Sequence, residues 1–301
     1  MRLSVIILSY NVKDLLRNAI KAVYDTYKNK SLQIIVVDNA SSDDSVKMVE
    51  KEFPKVDLVK SDVNTGFSAG NNLAKKITKG NIVLFLNPDT EVKGRAIGKC
   101  IEILKNKKEL GAITCKVMLP NGGIDYSCHR GLPTPWNTFC YFTGFSKVFP
   151  KSNFFAGYTA SHLNVNKSHY IDCISGTFLM IKKDVLKKIG WWDEDYFWNG
   201  EDIELCYRIK KAGYKIWYEA SEMMMHYKGS SSGLWTTSKK VVPLETKIKA
   251  AKSATRAMSI FIKKHARELG PWPIMIFVKL GISLLEKYRL GKIEKGLIYK
   301  K

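Results

Sequence analysis

The 301-residue sequence predicts an α/β fold, a mostly parallel central sheet with helices on both faces, followed by a C-terminal helical extension. Three observations predict it. Continuous apolar runs rich in β-branched residues recur at 5–9, 33–37 and 81–86, as expected of strands buried on both faces. Segments of helical periodicity separate them, and strand–helix alternation builds parallel sheets. Beyond residue 244 the strand pattern stops, and two helical stretches follow, divided by Pro271 and Pro273.

Residues 5–9 form the first strand, and the segment before residue 9 lacks the length and cleavage site of a signal peptide. Leu16, Ile20, Val23 and Tyr27 then follow helical spacing. The second strand, 33–37, ends at Asp38. Ser41 with Asp44 three residues on resembles a capping box ahead of a helix over 46–53. Leu58-Val59-Lys60 is a short third strand, and 64–72 reads as a glycine-containing loop leading into another helix. The fourth strand, 81–86, ends at Asn87-Pro88-Asp89. Residues 120–169 are loops carrying large aromatics, among them Trp136, Phe139, Phe142 and Phe154. A second ordered block spans 170–226: a strand over 173–181, a helix near 184–189, an acidic loop, another helix, and a strand-like run from Lys215. A Ser/Gly-rich stretch follows Lys228, then a helix over 244–269. The apolar segment 274–285 is too short for a comfortable bilayer span. Flanked by Lys279, Lys287, Arg289 and Lys292, it reads as an interfacial amphipathic helix, or as one packed on the catalytic domain or a dimer partner.

Composition is that of a globular protein, with 45% apolar and 26% charged residues. Forty-nine Lys plus Arg against 28 Asp plus Glu give a net charge of +21, which favours a phosphate-bearing ligand, nucleic acid or the negative face of a membrane. A Lys-rich solubilising surface is the plainer reading. The basic residues are dispersed and no recognition motif accompanies them, which argues against nucleic acid. The six cysteines include no C-x-x-C pair, so neither a zinc site nor a disulfide framework is expected, and reduced thiols in a cytoplasmic protein are.

Ligands of open α/β sheets bind at the carboxyl ends of strands. Asp38, Asn64, Asn87 and Asp89 all fall there. Asp38 is placed to accept hydrogen bonds from a base or ribose, or merely to form a turn. The 64–72 loop offers amide donors suited to a nucleotide, or a tight turn before a helix. Pro88 fixes the backbone beside Asp89, whose hard oxygens suit Mg2+ or Mn2+ bridging a diphosphate; capping the next helix is the structural alternative. Over 190–208, acidic residues interleave with Trp191, Trp192 and Trp198. Desolvation by aromatics would raise a carboxylate's pKa and suit it to take a proton, and Glu201 and Asp202 also stand at a helix start, where negative charge is favoured. His226 is one histidine, more often structural than a ligand, although neutral imidazole suits Mn2+.

Taken together, these segments resemble the family-2 glycosyltransferases of GT-A fold, a Rossmann-like architecture, and within them the rhamnosyltransferase-like members of cell-surface polysaccharide assembly. The matching pieces are 5–11, 37–45, 64–72, Leu86-Asn87-Pro88-Asp89-Thr90, Ser175-Gly176-Thr177-Phe178, Gly200-Glu201-Asp202 and His226, in the family's order. The resemblance implies a domain over 1–232, with a nucleotide-sugar half (1–118) and an acceptor half (119–232), and a possibly membrane-associating region over 233–301. It implies that Ser9, Asn11 and Asp38 contact the nucleoside, that Asn64, Gly66 and Asn71 lie beside the donor, and that Asn87 and Asp89 form a D-x-D-like motif. Asp89 and His226 would hold Mn2+ or Mg2+, Gly176 and Trp198 would border the acceptor, and Asp202 would be the general base with Glu201 its understudy. The implied activity is inverting transfer from dTDP-rhamnose, or from another UDP- or dTDP-sugar, to a glycan or lipid-linked saccharide. The protein would be peripheral at the inner face of the cell membrane. Asn87 at the first D-x-D position departs from the motif and implies weaker metal binding. Two rivals compete: a nucleotidyltransferase, which would need a Gly-rich phosphate loop that Ser9-Tyr10-Asn11 does not supply, and a non-catalytic membrane-face scaffold.

Overall fold

The computed structural model describes residues 2–227 and 244–295; the Ser/Gly-rich stretch read at 228–243 lies outside the described residues. In chain order the elements are β1 (Leu3–Ser9), α1 (Lys13–Thr26), β2 (Leu32–Asn39), α2 (Ser45–Glu52), β3 (Asp57–Ser61), α3 (Gly66–Leu73), β4 (Ile82–Leu86), β5 (Thr90–Val92), α4 (Ala96–Asn106) and β6 (Leu110–Met118). There follow α5 (Pro135–Thr143), α6 (Phe145–Val148), β7 (His169–Ile171), β8 (Phe178–Lys182), α7 (Lys183–Ile189), α8 (Glu201–Lys211), β9 (Lys215–His226), α9 (Leu244–Leu269) and α10 (Trp272–Glu294).

One sheet runs β3-β2-β1-β4-β8-β6-β9-β5, with β7 also paired to β9. Its first half is parallel, as the apolar runs predict: β1 lies between β2 and β4, and β2 pairs β3. Beyond β4 the sheet is mixed. β8 is antiparallel to β4 and β6, and β9 is parallel to β6 but antiparallel to β5 and β7. The cause is the long excursion between residues 87 and 177, which replaces a single crossover helix and brings β8 back from the opposite end. The core is the aliphatic filling between sheet and helices, with Val5, Ile7, Ile35, Val37, Leu84 and Leu179 fully or almost fully buried.

Three local expectations are also revised. Ser41 and Asp44 form no capping box; instead Asp43 accepts from the Ser45 backbone N–H (3.2 Å) and from its hydroxyl (2.5 Å), while Asp44 is left-handed at φ 61°. The 64–72 loop already contains helix α3 from Gly66. The strand read over 173–181 begins only at Phe178, because 173–177 is a bend whose backbone lines the site described below.

The C-terminal extension is packed on the catalytic unit. Lys264 of α9 pairs with Asp193 and Asp195, and Tyr207 of α8 donates to Glu268 at 2.6 Å. At Gly200, left-handed with φ +84°, a Cβ would stand 2.8 Å from Ala257 Cβ, so α9 lies directly on the start of α8. α10 returns along α9 through Met275 packed on Phe261 and Ile262. Among the described residues, no helix is long and apolar enough to cross a membrane.

Candidate active site

The β1–β2 register places Ser9 opposite Asp38 at the carboxyl edge of the sheet. Both are buried. One Asp38 oxygen accepts from the Ser41 N–H at 2.9 Å, while Oδ1 and the Ser9 hydroxyl have no hydrogen-bond partner among the described residues. Buried polar atoms are nearly always satisfied, so a ligand's N–H and O–H groups are the natural complement here. Asn11, left-handed at φ 54°, accepts from Ser42 N–H at 2.7 Å and donates its own N–H to Ser41 at 3.0 Å. It holds the turn beside Asp38.

The 64–72 segment is built as a rivet. Asn64 Oδ1 accepts from Asn39 and from Gly66 N–H, both at 3.0 Å. Gly66 is at φ +80°, and a Cβ there would come within 2.5 Å of the Phe197 carbonyl, to which Phe67 N–H donates at 2.7 Å. Only glycine fits that approach. Buried Asn71 donates to the Phe67 carbonyl at 2.9 Å. Asn72 closes a two-bond clasp on Trp192, donating to its carbonyl (2.9 Å) and accepting from its N–H (3.1 Å). Sequence reading had Asn39 and Asn72 only inside motifs, yet Asn39 ties β2 to the 64–66 turn and Asn72 ties α3 to the 190–200 loop.

Asp89 and His226 are 137 residues apart in sequence and adjacent in space because β5 and β9 pair, Thr90 opposite His226, with the Tyr227 N–H donating to the Asp89 carbonyl at 2.8 Å. His226 Nε2 lies 3.4 Å from Asp89 Oδ1, and Nδ1 lies 2.8 Å from Asp125 Oδ2. Burial opposes charge on this imidazole, but its hydrogen bonds to Asp125 and Asp89 prevail and raise it to about 9. Two buried carboxylates around one imidazole leave a negative excess that a divalent cation would offset, and a carboxylate behind a ligating histidine is the usual supporting partner. The oxygen and imidazole donors suit Mn2+ or Mg2+. Among the described residues no group of three or more His, Cys, Asp or Glu forms a cage for a metal, so the protein would supply Asp89 and His226, with phosphate and water completing the sphere.

A cavity of about 440 Å³ joins this corner to the start of α8, with Asn87, Gly176, Trp198, Asp202 and His226 among its walls. Asp202 is gripped from two sides: Arg130 donates to Oδ2 at 2.7 Å and the Ile203 N–H to Oδ1 at 2.7 Å. Burial disfavours the Arg130 charge, but Asp202 outweighs it and holds the guanidinium protonated. Glu201 is buried beside them, its Oε2 without a partner among the described residues, and burial, then the Asp202 charge, pushes it up to about 8. The tryptophans act differently from the sequence reading. Trp191 and Trp192 are core residues edge-on to Phe85, and only Trp198 reaches the cavity. Gly176 sits where a Cβ would meet Phe67 at 2.9 Å, so the bend can pass close against α3.

Glu201 carries a stability signature. Its native pKa exceeds the ordinary value of about 4.3, so its stabilisation is full below that value and lost as pH rises through about 8. Glu201→Gln should therefore melt with the wild type below pH ~4, where both side chains are neutral folded and unfolded, and above it by a margin that grows as pH rises to ~8. Parallel melting curves with a constant offset would show that Glu201 is not held protonated.

A parallel half-sheet with an open polar edge, an acidic–imidazole corner and a carboxylate at a helix start define a glycosyltransferase of GT-A fold. The profile described as Glycosyl transferase family 2 matches residues 4–190, more than half of the chain, and the chain belongs to that family. Among curated relatives, it is 22% identical over 215 residues to N-acetylglucosaminyl-diphospho-decaprenol L-rhamnosyltransferase of Mycobacterium tuberculosis, covering 68% of this chain and 69% of that one. It is 25% identical over 221 residues to the low-salt glycan biosynthesis hexosyltransferase Agl10 of Haloferax volcanii, covering 71% and 63%. Among solved structures, the mannosyltransferase PcManGT of Pyrobaculum calidifontis, in complex with GDP-Man and Mn2+, superposes with a TM-score of 0.60 at 17% identity, over 98% of this chain and 73% of that one.

Proposed function

We propose that the chain transfers a sugar from a nucleoside diphosphate to a hydroxyl of a glycan or lipid-linked saccharide, in one in-line displacement that inverts the anomeric centre. The observation that carries this reading is the meeting, in one cavity, of the Arg130–Asp202 pair with the edge of the Asp89–His226–Asp125 relay. Asp202 accepts the proton of the acceptor hydroxyl as that oxygen bonds to the anomeric carbon, and the bond from that carbon to the diphosphate breaks, its electron pair leaving with the nucleoside diphosphate. Arg130 positions Asp202. Asp38 and Ser9 hold the nucleoside, and residues 1–118 form the donor half. Asp89 and His226 would hold Mn2+ or Mg2+, which would supply positive charge to the departing diphosphate. The L-rhamnosyltransferase relative favours dTDP-rhamnose as donor, with a UDP-sugar as the second reading.

The test is a thermal-shift screen of UDP, dTDP, GDP and CDP, each with and without Mn2+. A bound nucleotide at a hundredfold excess over Kd adds about 2.7 kcal/mol. The expected result is Mn2+-dependent stabilisation by dTDP or UDP and none by CDP. Silence with every nucleotide would remove the donor site and leave the scaffold reading.

A further inference from the structure

A second cavity lies beside the first. It is a groove of about 820 Å³ between α5 and α10, walled almost entirely by apolar side chains, with Trp136, Phe139 and Phe142 on one side and Phe277, Leu284 and Tyr288 on the other. Five residues, Pro135, Thr138, Met258, Val278 and Ile282, line both the groove and the cavity that contains Asp202. The two spaces therefore adjoin across a shared wall.

α10 carries two apolar faces where the sequence predicted one. Met275, Val278 and Ile282 pack against α9. Phe277, Leu280, Leu284 and Tyr288, at helical spacing, form a second stripe that nothing covers among the described residues, with Phe277 73% and Leu284 66% exposed. Across the groove, Phe139, Phe142 and Phe154 are also exposed. Contiguous apolar surface on this scale marks a binding site. The stretch that contains α5 is basic: no Asp or Glu occurs between Asp125 and Asp172, while Lys147, Lys151 and Lys167 do. Lys292 caps the stripe, its ammonium 4.6 Å from the Tyr288 ring.

We infer that the groove seats the hydrocarbon chain of the acceptor, an amphiphile whose anionic diphosphate head and saccharide enter the Asp202 cavity while its chain lies between α5 and α10. A soluble glycan would gain nothing from an apolar groove beside the acceptor cavity, and a bilayer surface would not need the groove to share a wall with that cavity. The inference deepens the transfer reading and rests on it for the saccharide end. The chain-binding site itself stands independently of the donor.

The experiment measures binding of n-alkyl diphosphates, from butyl to dodecyl and below their micelle concentrations, by calorimetry to the full chain. Affinity should climb about two- to fourfold per added methylene until the groove is filled. Gly281→Phe is the plug: a Cβ at Gly281 meets nothing within 4 Å, so the ring fills the groove and not the core. Gly281→Phe and Leu284→Gln should flatten the chain-length slope while leaving the nucleotide melting shift unchanged. A flat slope in the wild type, or an unchanged slope in both variants, overturns the inference. A flat slope with variant-sensitive binding to anionic vesicles would assign the face to the bilayer instead. A flat slope with variant-sensitive dimerisation in sedimentation would assign it to a second copy. A nucleotide screen that fails beside a ladder that holds would sink the transfer reading and leave the chain site standing.

Discussion

Asp202→Asn is expected to lower turnover by about 10²- to 10⁴-fold, the contribution of a positioned general base, while nucleotide-sugar binding persists. The substitution keeps size and shape and removes proton affinity. It also leaves Arg130 buried with a neutral partner, although the Arg130 Nε bond to the Ser127 carbonyl at 2.8 Å survives. Removing one member of a buried ion pair costs about 3–5 kcal/mol, so some of the activity loss could be mistaken for unfolding. The distinction lies in the nucleotide melting shift: a folded Asp202→Asn chain still shows it. Glu201→Gln makes the comparison sharper, because Glu201 is neutral at pH 7 by the same burial that raises it to about 8, and a neutral isostere should turn over close to wild type there. Normal turnover in Asp202→Asn with collapse in Glu201→Gln would exchange the two roles.

Much of this site was legible in sequence, for a physical reason. β1, β2 and β4 are buried on both faces and therefore read as unbroken apolar runs, and polar residues at the ends of such runs have few places to be other than the ligand edge. Asp38, Asn87 and Asp89 were found that way. β5 and β7 span three residues each and exist through pairing with β9, so no local pattern announces them. Asp125 and Arg130 went unread because their partners are 101 and 72 residues away, and they sit in an aperiodic stretch. A faint signal was available: Arg130 is the only arginine between Arg95 and Arg208, and Asp125 is the last acid before a long run without one. The tryptophans misled because large aromatics near acids read equally as desolvating walls or as core. Trp191 and Trp192 proved to be core, and the desolvation that raises Glu201 comes instead from its placement at the buried start of α8 beneath α9, where Gly200 meets Ala257.

The metal corner should respond to substitution as a graded series. Asp89→Asn is expected to abolish Mn2+-dependent stabilisation by nucleotide and to lower turnover by about three orders of magnitude, since several kcal/mol of charge stabilisation at the leaving diphosphate depend on the cation. His226→Gln should weaken Mn2+ affinity severely but leave Asp89 as a residual ligand, so activity returns in part at high Mn2+. Asp125→Asn should be mildest, about 10- to 100-fold in metal affinity, because Asp125 acts only through the imidazole it orients. The rank follows from the order of contact: Asp89 and His226 face each other at 3.4 Å, and Asp125 stands behind the ring at 2.8 Å from Nδ1. The corner is also where stability enters. Without cation, the imidazolium near 9 compensates the two carboxylates, so His226→Gln leaves two buried negative charges facing a neutral side chain and should melt below wild type. Mn2+ titrations of the nucleotide melting shift in all three variants would check the series. Equal responses, or a wild type indifferent to EDTA, would mean that this corner is a structural ion network and that the leaving group is stabilised by other residues.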